Sequence, residues 1–149
     1  MSNDHDDASL ERFVQAQARD YAQALAELQA GRKQTHWIWY VLPQLRGLGH
    51  SPMAERYGIS GRAEAEAYVA HPVLGSRLIA CVRAVLAHPE RSAVEMLGVV
   101  DAMKFQSCLT LFATVAPHEP CFAEALAAFY GGERDAQTLR LLDAESGLD

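Results

Sequence analysis

Apolar residues recur at three- and four-residue intervals along most of the chain, interrupted by Gly, Pro and capping residues. This is the period of amphipathic helices. Leu10, Phe13, Val14, Tyr21, Ala24, Leu25 and Leu28 form one stripe, which predicts a helix capped by Ser9 and stopped at Gly31. Thr35 is placed to cap a short second helix over 36–42, ended by Pro43. Ser51-Pro52 pairs a cap with proline at the first helical position, opening a piece that reaches Tyr57-Gly58. Ser60 opens a fourth helix that runs to His71-Pro72. A fifth, over 73–87, aligns Leu74, Leu78, Cys81, Val82 and Val85.

Ser92-Ala93-Val94-Glu95 has the form of a capping box, starting a single turn that ends at Gly98. Asp101 is placed to cap a helix through Ala116, and Glu119-Pro120 starts another that closes at Gly131-Gly132. Asp135 caps the last, with Leu139 and Leu142 inward. No alternating run is long enough for a regular strand. The pattern predicts an all-α fold, a single array of eight or nine mostly short helices. Composition agrees, with 25 alanines against 17 residues of Val, Ile and Thr together.

A chain of 149 residues with half of them hydrophobic fits one domain, placed at 9–144. Residues 1–8 read as a flexible acidic tail and 145–149 as a frayed end. Ala-His-Pro occurs at 70–72 and again at 87–89. Each is explained as a histidine at a helix C-terminus, where a cation suits the dipole. The start of the chain lacks the apolar core of a secretory signal, and no apolar run approaches a bilayer span. A cytoplasmic location without membrane contact is the expectation. A net charge of −6 argues against duplex nucleic acid as a partner. Cys81, Cys108 and Cys121 are odd in number and form no Cys-x-x-Cys pair, so they read as reduced core thiols.

Charge and aromatic placement add candidate chemistry. No Asp or Glu occurs between Glu27 and Glu55, whereas Arg32, Lys33 and Arg46 do. Both tryptophans fall here, at Trp37 and Trp39. Segment 31–51 therefore carries +3 and the remainder −9. Aromatic rings beside cations can stack a planar group and hold an anion. Lys33, His36, Trp37, Trp39, Tyr40, Gln44 and Arg46 are the ligand-binding candidates; as core residues, the tryptophans would anchor the segment instead. Their offset of two positions turns them to different faces of a helix.

A second cluster lies at Asp101, Lys104 and Cys108, which share a helical face. Lys33 and Lys104 are the only lysines beside eleven arginines. A chain so biased toward arginine keeps lysine where a compact ammonium is wanted. Lys104 and Asp101 are the catalytic candidates, Lys104 to stabilise developing negative charge and Asp101 to orient it or move a proton. The plainer reading is a local Asp101–Lys104 ion pair, with Cys108 a small buried hydrophobe. The six histidines show no metal-ligand spacing. Gly47-Leu48-Gly49 lacks the strand and third glycine of a dinucleotide fingerprint. No metal or cofactor is expected.

The chain resembles a family catalogued as domain of unknown function 1810, small all-helical proteins found mostly in bacteria. The resemblance rests on Leu10-Glu11-Arg12-Phe13-Val14-Gln15-Ala16-Gln17, Gly31-Arg32-Lys33 with His36-Trp37-Ile38-Trp39, Pro43-Gln44-Leu45 and Gly47-Leu48-Gly49-His50-Ser51. It continues through Tyr57-Gly58-Ile59, Glu66-Ala67-Tyr68, His71-Pro72-Val73-Leu74-Gly75, Asp101-Ala102-Met103-Lys104 and Ser107-Cys108-Leu109-Thr110-Leu111-Phe112. The resemblance implies a compact helical domain and brings no established activity. Some members carry the label calpastatin, a calpain inhibitor. Such inhibitors are long, disordered and repetitive, whereas this chain is half hydrophobic and helix-capped throughout.

Two functions follow as expectations. One is binding or processing of a small anionic ligand, of nucleotide or ADP-ribose type, in a cleft lined by Trp, Lys and Arg. The other is a non-catalytic module for a protein partner, presenting Phe122, Leu126, Phe129 and Tyr130 as an apolar stripe; packed inward, the same residues would be core.

Overall fold

The structure is a computed structural model that describes residues 2–147, with side chains from 9 to 145. Nine helices occur among these residues: α1 (Ser2–Gln29), α2 (Ile38–Val41), α3 (Pro52–Tyr57), α4 (Arg62–Ala70), α5 (Leu74–Leu86), α6 (Ala93–Leu97), α7 (Val99–Val115), α8 (Cys121–Tyr130) and α9 (Ala136–Gly147). The only β feature among them is an isolated parallel bridge between Leu45 and Ile59. The all-α expectation holds. Expectations for the side chains of 1–8 and 146–149 lie outside the described residues.

α7 is the central element, because apolar side chains surround it. Phe105, Cys108, Leu109, Leu111 and Phe112 are all fully buried, and a helix that is hydrophobic on every side belongs inside. It packs on α4, α6, α8 and α9, while α5 bridges α1, α4 and α8. Tilted aromatic pairs tie these layers, with Tyr68 of α4 and Phe122 of α8 each against Phe112, at 5.5 and 5.7 Å. Phe122 and Leu126 are core residues, and Phe129 and Tyr130 pack against that core. The stripe considered for a protein partner is therefore turned inward. All three cysteines are free and buried, and burial pushes the Cys81 thiol up to about 12.

Some capping expectations hold and others are corrected. Ser51 accepts from the Ala54 N–H, and Pro52 opens α3. Ser92 and Glu95 form the complete capping box, with N–H to oxygen distances of 2.8 and 3.0 Å. Asp135 accepts from the Thr138 N–H at 2.8 Å. Replacing Ser92 by Ala is expected to cost about 1 kcal/mol, read as a lower urea midpoint with an unchanged slope.

Ser9, by contrast, lies inside α1 and donates to Glu64. Thr35 does not cap α2, because its hydroxyl donates to Glu27. Gly61 takes the cap position of α4 in place of Ser60, and the Glu145 carboxylate of α9 accepts from the Arg62 N–H there. Gly98, at φ +88°, starts α7 three residues before Asp101. His71 closes α4, but its side chain serves the next helix. Its Nδ1 accepts from the Val73 and Leu74 N–H groups at 3.1 and 3.2 Å, at the start of α5. His88 bonds across to the Gln29 carbonyl at the end of α1.

A buried ion pair joins α1 to α4. The Arg12 guanidinium meets Glu64 at 3.1 Å and also donates to the Arg56 and Gly58 carbonyls. Burial raises the Glu64 carboxyl, but hydrogen bonds from Arg12 and Ser9 more than offset this and hold it below its ordinary value. No single helix among the described residues is long and apolar enough to cross a membrane.

Candidate functional site

The segment between α1 and α2 has no regular structure, so its shape must come from side chains. Gly31, at φ +75°, ends the α1 turn. Beyond it the chain folds around the carboxylate of Glu27, which is 4% exposed. Glu27 Oε1 accepts from the Gln34 N–H at 2.8 Å, the Thr35 N–H at 3.0 Å and Trp37 Nε1–H at 2.9 Å. Its Oε2 accepts from the Thr35 hydroxyl at 2.6 Å and the Gln23 amide at 2.9 Å. Burial raises this carboxyl, but the hydrogen bonds from Thr35, Gln23 and Gln34 outweigh it and bring the pKa down to about 2.

Lys33 fastens the same segment to the later helices. Its backbone N–H donates to the Met96 carbonyl at 2.7 Å. Its ammonium lies 2.8 Å from Asp101 of α7, donates to the Thr35 carbonyl and sits 5.0 Å from the Trp37 ring centre. The lysine side chain is only 7% exposed.

Trp39 faces the other way. Its ring is half-buried, and its Nε1–H is buried with no hydrogen-bond partner. The Lys104 ammonium stands 5.3 Å from the ring centre, within cation–π range. No carboxylate forms an ion pair with Lys104 among the described residues. Trp39, Gln44 and Lys104 line a small, narrow hollow that reaches Tyr57 and Gly58. Gln44 and Lys104 also line a larger neighbouring hollow, bordered by Leu48, Val100, Met103, Ser107, Asp135 and Gln137. The two adjoin at Gln44 and Lys104 as one cleft, lined by apolar side chains together with Gln106, Ser107 and Gln137. Val100 and Met103 are 64% and 66% exposed at the rim.

Local packing explains why the α2–α3 wall sits so close. Arg46 N–H donates to the Ile59 carbonyl at 2.8 Å and Ile59 N–H to Gln44 at 2.9 Å. A Cβ on Gly58 would lie 2.6 Å from Arg46 Cα, so only glycine permits this approach.

The nine sequence candidates divide among four places. Trp39, Gln44 and Lys104 meet in the cleft. Lys33, His36 and Asp101 border a separate, open hollow, with Val100 shared between the two. Trp37 and Tyr40 turn into the core; the Tyr40 hydroxyl donates to Asp20. Arg46 is exposed and donates to the Glu55 carbonyl at 3.2 Å. The local Asp101–Lys104 pair does not form, because Asp101 reaches Lys33 instead. Sequence reasoning passed over Glu27, Met103 and Asp135. Glu27 had a signal, being the last acid before the acid-free segment.

The model of a family described as protein of unknown function (DUF1810) matches residues 7–142. The chain belongs to the DUF1810 family. The crystal structure of the conserved hypothetical protein Rv1873 from Mycobacterium tuberculosis is similar to this DUF1810 chain, with 48% identity and a TM-score of 0.89. The match covers 90% of this chain and 96% of that one. No curated protein matches.

Proposed function

We propose that this DUF1810 protein binds a small anionic ligand with a planar or apolar body in the cleft between the α2–α3 segment and α7. Nucleotide and ADP-ribose-type metabolites are the first compounds to test. The observation that carries this reading is the placement of Lys104 over Trp39. An ammonium without a carboxylate partner and a buried indole N–H without an acceptor lie at one end of the same cleft. Both are donors. An oxygen-bearing anion satisfies both at once. Lys104 is the residue placed to hold negative charge on the bound group. Asp101 acts through Lys33, tying the 31–37 segment to the first turn of α7, and is a positioning residue.

The chain has two tryptophans, so its indole N–H signals report the two environments separately. In ¹H–¹⁵N spectra, a cleft ligand is expected to shift the Trp39 signal and leave the Glu27-bound Trp37 signal in place. Trp39→Phe assigns the peaks. Lys104→Ala is expected to weaken binding about 10- to 100-fold, the value of a charge-assisted hydrogen bond. A ligand that raises the melting temperature without moving the Trp39 signal, or that binds Lys104→Ala equally well, defeats the reading.

A second reading, a protein-interaction module, draws support from the exposed Val99, Val100 and Met103 beside the cleft. A protein seated there would depend on Met103 rather than on Lys104.

A further inference from the structure

We infer that the cleft selects a ligand carrying a single negative charge on an apolar or aromatic body, and discriminates against compounds with two or more. This deepens the binding reading above and rests on it, narrowing the nucleotide class named there to singly charged members and setting ADP-ribose, which carries two charges, aside. The charges on the lining set this preference. Of the cations that mark the sequence, Lys33 is neutralised by Asp101 at 2.8 Å and nearly enclosed. Arg46 borders a different hollow, on the α9 side, with Glu64 and Glu145. Lys104 is the one basic side chain among the residues that line the cleft.

The opposite end carries Asp135. Its carboxylate accepts from the Thr138 N–H at 2.8 Å and the Thr138 hydroxyl at 2.6 Å. Formal lining charge is therefore zero, arranged as one positive and one negative end. The rest of the lining, from Leu48, Val100 and Met103 to Ser107 and Gln137, is apolar or neutral and offers no second cation to a second anionic group. A second phosphate would meet no second cation there and would share the hollow with the Asp135 carboxylate. Specificity of this kind comes from the repulsive group as much as from the attractive one. The ligand that fits puts one carboxylate or phosphodiester oxygen between Lys104 and the Trp39 Nε1–H. Its ring lies along Met103, and a hydroxyl or amine faces Asp135.

A matched series at pH 8 tests this on the full chain. Adenosine, 3′,5′-cyclic AMP, AMP and ADP step the charge upward on one scaffold. Neutral 4-hydroxyphenylacetamide, 4-hydroxyphenylacetate and the dianionic 4-carboxyphenylacetate do the same for a carboxylate. Affinity is read by calorimetry and location by the Trp39 indole signal. In at least one series the singly charged member is expected to bind at least about tenfold tighter than both neighbours. Asp135→Asn retains a capping side chain and is expected to narrow the gap to the multiply charged member. A multiply charged compound that binds tightest while moving the Trp39 signal overturns the single-charge inference and leaves the cleft reading standing. So does an unchanged gap in Asp135→Asn. No movement of the Trp39 signal by any member at millimolar concentration overturns both.

Discussion

Glu27→Ala is expected to destabilise the chain by about 3–4 kcal/mol and to lower Tm by roughly 10 °C. The wild-type carboxylate collects five donors, two of them backbone N–H groups of a segment with no helix or strand to satisfy them. Alanine leaves the Gln34 and Thr35 amides and the Trp37 indole without acceptors, and buried orphans cost more than the net value of the bonds lost. Glu27→Gln should fall between wild type and alanine, at about 2 kcal/mol. Its carbonyl can accept, but its NH₂ points into a ring of donors. Urea unfolding followed by tryptophan fluorescence checks both variants. A loss below about 1 kcal/mol for Glu27→Ala would show that water replaces the carboxylate freely.

The same group sets a pH dependence of definite sign. Its folded pKa of about 2 lies below the ordinary 4.5. The stabilisation is therefore fully present above about pH 4.5 and is lost as pH falls from there toward 2. Glu64, held down beside Arg12, acts in the same direction. Glu27→Ala should flatten the acid limb of the stability profile without removing it, because the Glu64 share remains.

Helices were readable wherever the signal was local. Ser51-Pro52 and the Ser92–Glu95 box each complete their hydrogen bonds within one turn, so the residues that form the cap are also those that announce it. Caps failed where a distant partner competed. Thr35 donates to Glu27 rather than to its own helix, and the start of α4 is served by Glu145, 83 residues away. Asp101 has the chemistry of a cap, but Gly98 already turns the chain into α7, which frees the carboxylate for Lys33.

The candidate site was legible to a similar depth. Two lysines among eleven arginines and two tryptophans in one acid-free segment marked pieces of chain that pack near one another. Each lysine does stand over one of those rings. The two-residue offset also foretold that the rings part company, Trp37 into the core and Trp39 into the cleft. Which lysine is neutralised was not readable, because Asp101 lies three residues from Lys104 and 68 from Lys33. Local spacing favoured the pair that does not form. The cleft walls, Met103 and Asp135, come from the start of α7 and the start of α9, and only the tertiary packing of those helices brings them together.

Gly75→Ala sets helix propensity against packing, and packing is expected to win. In an unencumbered helix the change would stabilise by up to about 1 kcal/mol. Gly75 lies in the first turn of α5, where that helix leaves α4 at 85° after a three-residue corner. A Cβ there would fall 2.1 Å from the Val69 carbonyl oxygen and 2.9 Å from its carbon. Both are backbone atoms, so no side-chain rotation relieves the overlap. The corner must open, which pulls α4 from α5 and disturbs Tyr68 against Phe112 of α7. The expected cost is about 3 kcal/mol or more, the upper range for overpacking. Gly132→Ala is the contrast. Its φ of +81° strains any side chain, but a Cβ there meets nothing within 4 Å, so the cost should stay near 1 kcal/mol. Thermal unfolding of the two variants separates the causes. A Gly75→Ala protein as stable as wild type would mean that α4 and α5 yield at this corner, and the tight approach would not be what holds α4 against α7.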